Sequence, residues 1–148
     1  MKKNLFVAFV FISFFGFSQN TETKKLFTNK YDVVNFEIIN RIKDSDSDIY
    51  SIISFQNLDY KTIIDIRIII LRKKSELKEF ADKLIEFCEK EKGIDLSFKK
   101  EKEYSINLFP SVNDVVLMDN EGKYNFFSKK QAKKLAQDII TNIDLLKD

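Results

Sequence analysis

Apolar residues alternate with polar ones along most of this chain, and only twice does that two-residue rhythm give way to a helical one. That pattern commits the chain to a sheet-rich fold with helices at two places. In Tyr31–Ile42 the residues Val34, Phe36, Ile38 and Ile42 share one parity, which predicts a strand with one buried face. Ile49–Gln56 resumes the rhythm with Ile49, Ile53 and Phe55. Thr62–Leu71 is the most hydrophobic segment after the leader. Ile64, Ile66, Ile68 and Ile70 lie on one side, and Ile63, Asp65, Arg67, Ile69 and Leu71 on the other. Apolar residues on both sides, β-branched almost throughout, predict a central strand covered on two faces. The period then changes. Leu77, Phe80, Ala81, Leu84, Ile85 and Cys88 recur at helical spacing, with Ser75 as the expected cap and Gly93 as the expected stop.

The second half repeats the scheme. Ile94–Phe98 and Tyr104–Leu108 predict a hairpin with one apolar and one wet face, ended by Pro110. Val115–Met118 and Tyr124–Phe127 predict another, closed by Asp119-Asn120-Glu121-Gly122 with Gly122 in the left-handed position. Ser128 and Gln131 form a capping box ahead of the stripe Ala132, Leu135, Ala136, Ile139, Ile143 and Leu146. The expected fold is α+β, a mostly antiparallel sheet of about seven strands with two helices in the order βββα-ββββα. Each helix follows a strand and begins near a Lys-Lys pair, a hint of internal duplication.

The amino terminus sets the compartment. Lys2 and Lys3, the apolar run Leu5–Phe17 and the small residues Gly16 and Ser18 have the order of an export signal. The run is shorter than the ~20 apolar residues of a spanning helix. Residues 1–18 are therefore read as a signal peptide, 19–30 as a flexible linker and 31–148 as a single domain. The chain holds 25 Lys+Arg against 23 Asp+Glu, and the leader takes Lys2 and Lys3 with no acid, which leaves the mature chain neutral. With arginine limited to Arg41, Arg67 and Arg72, nothing points to nucleic acid, and nothing points to a membrane once the signal is cleaved.

The composition also removes chemistries. Cys88 is the only cysteine, so an intramolecular disulfide is excluded and so is a multi-thiolate metal site. There is no histidine, which excludes triads built on one. No cofactor motif is present. What remains is carboxylate chemistry. Glu37, Arg41, Asp65 and Arg67 fall on the less apolar parity of their strands and form a candidate charged cluster, in which two carboxylates could serve as acid and base. Asp44, Asp46 and Asp48 repeat at every second position, as in calcium loops. Against that reading, Ile49 stands where such a loop wants Gly, and Phe55 where it wants Glu. Lys129, Lys130, Lys133 and Lys134 make a basic patch, read as a solvated face. Cys88 reads as a core thiol, and Tyr50, Phe55 and Tyr60 as core or part of a binding surface.

The leader ending Phe17-Ser18-Gln19 and the run D-N-E-G-K-Y-N-F-F-S-K-K-Q-A-K-K-L (Asp119–Leu135) resemble small exported proteins of Bacteroidetes-type bacteria that have no assigned function. The resemblance covers those two stretches, implies an exported bacterial protein and carries over no site. The first expectation for function is a non-catalytic binding module, periplasmic or extracellular, whose partner is a protein or another surface component. The second is a carboxylate-dependent hydrolase of an extracellular polymer. The third is a calcium-stabilised module.

Overall fold

Four antiparallel strands come first: β1 (Thr21–Tyr31), β2 (Val34–Lys43), β3 (Asp46–Gln56) and β4 (Ile66–Leu71), side by side in the order β1-β2-β3-β4. Helix α1 (Lys74–Glu89) follows. A second set, β5 (Leu96–Lys100), β6 (Tyr104–Leu108), β7 (Asp114–Asp119) and β8 (Tyr124–Ser128), forms its own sheet in the order β5-β6-β7-β8 and leads into α2 (Lys129–Asn142). A short 3-10 turn, Ile143–Leu145, ends the helix. The computed structural model describes residues 21–31, 33–58, 65–91, 94–100, 103–108 and 114–146. The proposed signal peptide, Tyr60, Gly93 and Pro110 lie outside them. Among the described residues no helix is long and apolar enough to cross a membrane.

The class is α+β with two helices, and the strands are antiparallel throughout. Two expectations change. The described residues form eight strands in two sheets of four rather than about seven in one sheet, and the order is ββββα in both halves. The extra strand is β1, where a linker was expected. It is polar because it is an outer strand that sends only Leu26, Phe27 and Tyr31 to the core. A register shift between Lys25 and Phe27 breaks its alternation, so period two is lost from the sequence while pairing with β2 runs from Thr21↔Lys43 to Tyr31↔Val34.

The β2–β3 hairpin turns on Asp44 (φ +50°) and Ser45 (φ +76°), with Lys43 opposite Asp46. Two successive left-handed residues make the tight turn that matches strand twist, and Asp tolerates that conformation better than most side chains. Gly122 (φ +79°) closes the β7–β8 turn as expected. The Ser128 hydroxyl accepts from the Gln131 N–H at 3.3 Å and caps α2. At α1 the expected cap fails. The helix starts two residues earlier, at Lys74 with Lys73 in the cap position, and the Glu76 carboxylate accepts from the N–H groups of Arg72 (3.1 Å) and Lys73 (3.2 Å) in place of the Ser75 hydroxyl.

One core joins both halves. Val34, Phe36, Ile38, Ile53, Phe55, Ile69 and Leu71 from the first sheet meet Ile106, Leu108, Val115, Leu117 and Phe127 from the second. Leu77, Phe80, Leu84, Leu135 and Ile139 of the helices fill the space between. The helices pack on each other; α1 also touches β4, β6 and β7, and α2 touches β1, β7 and β8. The second sheet lacks the wet face expected of β6. All five of its residues are buried, and Asn107 donates to the Ser105 hydroxyl (3.1 Å) and accepts from Ser97 (2.7 Å), so the polar side chains satisfy each other.

Candidate functional site

The strand read as central, β4, is an outer strand. Its register against β3 runs from Gln56↔Ile66 to Ser51↔Leu71, and no strand among the described residues pairs with its other edge. Nor is it covered on both faces, as expected: one face is buried and the other is open. Ile69 and Leu71 point to the core, and Arg67 shares their parity. Ile66, Ile68 and Ile70 point outward and are 48, 57 and 46 % exposed. Ile52 of β3 lies opposite Ile70 on the same outer face and is half-buried. The result is a row of isoleucines along a free strand edge. Arg72 ends the row: it stacks over Tyr50 at 5.1 Å and pairs with Asp48 at 2.6 Å, so that charge is already engaged.

Arg67 sits inside because the second sheet supplies its counter-ions. Its Nε donates to Asp119 Oδ2 at 2.5 Å and its Nη2 to Glu121 Oε2 at 2.5 Å, while Asp65 Oδ1 lies at 3.5 Å from Nη1. Asp119, whose side chain is 6 % exposed, also accepts from the backbone N–H groups of Glu121 and Lys123 at 2.9 Å each. It therefore shapes the β7–β8 turn and anchors Arg67 at once. Asp119 and Glu121 hold the guanidinium charged. Asp65 is held below the ordinary carboxylate range first by the Asn57 amide (3.0 Å) and then by Arg67. Next to this cluster the Leu58 N–H donates to Tyr124 O (2.9 Å) and the Asn125 amide to Gln56 O (2.5 Å). These contacts join the end of β3 to β8. The cluster reads as a strut between the two halves: every group in it is committed to a partner within the chain.

The expected charged cluster divides. Asp65 and Arg67 come together, joined by Asp119 and Glu121. Glu37 does not join them; it projects from the outer face of β2, paired with Lys25 and accepting from Thr28 at 3.3 Å. Arg41 is exposed farther along β2. Glu37 and Asp65 therefore do not form an acid–base pair facing one site. The aspartate triplet separates as well. Asp44 is in the hairpin turn, whereas Asp46 and Asp48 are in β3 and Asp48 is taken by Arg72. Among the described residues no three His, Cys, Asp or Glu side chains could hold a metal ion together.

Other features have structural uses. Lys129 reaches across to donate to Lys90 O (2.7 Å), capping the carbonyl end of α1. Lys130, Lys133 and Lys134 line a shallow groove with Gln131 and Gln137. Cys88 is half-buried with Sγ 3.4 Å from Lys129 O, and burial pushes its thiol up to about 11, the behaviour of a core thiol. Phe55 is core and Tyr50 lies on the outer face under Arg72. A cleft of about 460 Å³ opens at the tips of the second sheet, between Lys99, Glu103, Met118 and Asn120.

Sequence reasoning missed Asp119 and Glu121. The available signal was an aspartate opening the turn D-N-E-G-K, where a side chain commonly accepts from the backbone two residues on. Neither a protein-family model nor a curated protein matches the chain.

Proposed function

We propose that this chain is an exported, non-catalytic binding module of a bacterial envelope or exterior, and that it engages a protein partner through the outer face of β4. The observation that carries this reading is the row Ile66, Ile68, Ile70 on a strand whose second edge meets no other strand among the described residues. Strand edges in natural proteins are generally shielded by lysine, proline or a covering element, and contiguous exposed apolar surface marks interaction sites. Export rests on the leader, with its two lysines, its apolar run and its small-residue exit. The resemblance of the leader and of Asp119–Leu135 to small exported bacterial proteins points the same way. The neutral mature chain favours neither nucleic acid nor an anionic membrane as partner. The hydrolase reading needs two carboxylates facing one pocket; Glu37 and Asp65 do not converge, and Asp65, Asp119 and Glu121, which do gather, are engaged by Arg67.

The test compares wild type with Ile68→Lys and with Ile140→Lys, which alters an exposed isoleucine on α2. Tagged protein is recovered from the envelope fraction after crosslinking, and its amino terminus is read by mass spectrometry. A start at Gln19, with a crosslinked partner retained by wild type and Ile140→Lys but lost from Ile68→Lys, supports the reading. Equal recovery by all three removes the β4 face from it.

A further inference from the structure

We propose that the first two turns of α2 bind an acidic polysaccharide through Lys130, Lys133 and Lys134, with Gln131 and Gln137 beside them. The surface is separate from the β4 face and does not rest on it.

The two helices treat their lysines differently. Every lysine of α1 meets a carboxylate: Lys74 meets Asp144 at 3.5 Å, Lys78 meets Asp82 at 2.6 Å and Lys83 meets Glu86 at 2.7 Å. α2 has no acid in its first turn. Its sole acid, Asp138, accepts from Tyr31 and Asn29 of β1. Lys129 is engaged by Lys90 O, whereas Lys130, Lys133 and Lys134 are exposed and have no ion-pair partner among the described residues. Like charges a turn apart on a helix repel, and near its amino-terminal end they also oppose the dipole. Folding gains nothing from this arrangement, and a local rule broken without compensation inside the chain marks a place where function sets the sequence.

Helical spacing gathers the groups. Residues 130, 133, 134 and 137 follow one face, and Gln131 lies a turn from Lys134. Together they line a groove of about 480 Å³ whose walls hold no carboxylate.

Three features choose the ligand. Lysine ammonium groups are point charges that respond to the density of negative charge, and the groove lacks the arginine fork that reads phosphates and base edges. The apolar side of α2 is turned inward, with Ala132, Leu135, Ala136 and Ile139 fully buried, so these two turns have nothing to sink into a bilayer. Ile140, the exposed apolar residue of the helix, comes two turns after Lys133. Gln131 and Gln137 stand among the lysines, and each amide offers both a donor and an acceptor, as sugar hydroxyls require. A chain of uronic acid residues presents that alternation of carboxylate and hydroxyl.

Isothermal titration calorimetry with polygalacturonate tests the assignment. Wild type is expected to bind it at low salt, to bind less tightly as salt is raised, and not to bind neutral dextran. The triple variant Lys130→Gln, Lys133→Gln, Lys134→Gln is expected to bind about tenfold more weakly with an unchanged circular dichroism spectrum, since all three side chains stand in solvent. A control triple, Lys24→Gln, Lys43→Gln, Lys99→Gln, removes the same charge from exposed positions elsewhere and is expected to keep affinity within about twofold. Single-stranded DNA and phosphatidylglycerol vesicles, titrated at equal charge concentration, are expected to bind more weakly than polygalacturonate. Polygalacturonate bound no better than dextran, or an equal loss in the two triple variants, overturns the proposal. Tighter binding of the DNA or the vesicles overturns the polysaccharide as ligand.

Discussion

Tyr31 and Tyr104 offer one chemical change with two opposite expected signs. Both rings are buried. The Tyr31 hydroxyl donates to Asp138 Oδ2 at 2.6 Å, which ties β1 to α2. The Tyr104 hydroxyl is buried with no partner among the described residues, while its ring packs edge-on against Phe80 at 5.2 Å. Replacing either by Phe keeps the ring and deletes the oxygen. At Tyr104 this removes a desolvated group that gains nothing on folding, so Tyr104→Phe should stabilise by about 1–2 kcal/mol. At Tyr31 it removes a hydrogen bond to a carboxylate and leaves Asp138 with Asn29 at 3.1 Å, so Tyr31→Phe should cost about 1.5–3 kcal/mol. For a chain this size each kcal/mol moves the Tm by roughly 3–5 °C. Urea unfolding followed by circular dichroism reads both. Burial pushes both phenols well above the ordinary tyrosine range, with Asp138 adding to the effect at Tyr31. The folded state therefore holds these protons after the unfolded chain has released them. Stability is complete below about pH 10 and falls as pH rises beyond it. Each Phe variant should lose less stability on that alkaline limb than wild type. A destabilised Tyr104→Phe, or Tyr31→Phe indistinguishable from wild type, would refute the reasoning.

Asp119→Ala removes the acceptor of two turn N–H groups and the main anchor of Arg67, and should cost about 1–3 kcal/mol in urea from the backbone bonds alone. Gly122→Ala should cost about 1 kcal/mol, because φ is +79° while nothing lies within 4 Å of the added methyl; a cost near zero would show that the turn relaxes. Calcium and chelator should leave the Tm unchanged, because Asp44, Asp46 and Asp48 do not converge; a calcium-dependent rise would restore the metal reading.

Local chemistry was legible wherever it was decided locally. The β7–β8 turn, the left-handed Gly122, the Ser128 cap and both helical stripes follow from residues within a few positions of one another. β1 was not legible, because an outer strand needs few apolar residues and its register shift breaks the alternation on which the reading depends. The α1 cap was missed because Ser75 is the better capping residue by type, yet Glu76 reaches both orphan N–H groups from within the first turn. The Arg67 cluster was only half visible. Alternation places Asp65 and Arg67 on one parity, but the partner Asp119 stands 52 residues away in the other sheet.

β4 shows why its open face carries functional weight. Alternation says that its two sides differ and does not say which one points inward. Isoleucines on both sides suggested two covered faces, whereas the fold covers one, and a shift of one residue would exchange the whole set. The register is fixed elsewhere: Ser51 donates to Leu71 O at 2.9 Å, Asn57 N–H to Asp65 O at 2.8 Å, and Arg67 meets the carboxylates of the second sheet. Turning the strand over would bury Ile66, Ile68 and Ile70 and strip Arg67 of its partners. The fold thus satisfies a half-buried charge and leaves three isoleucines half in water.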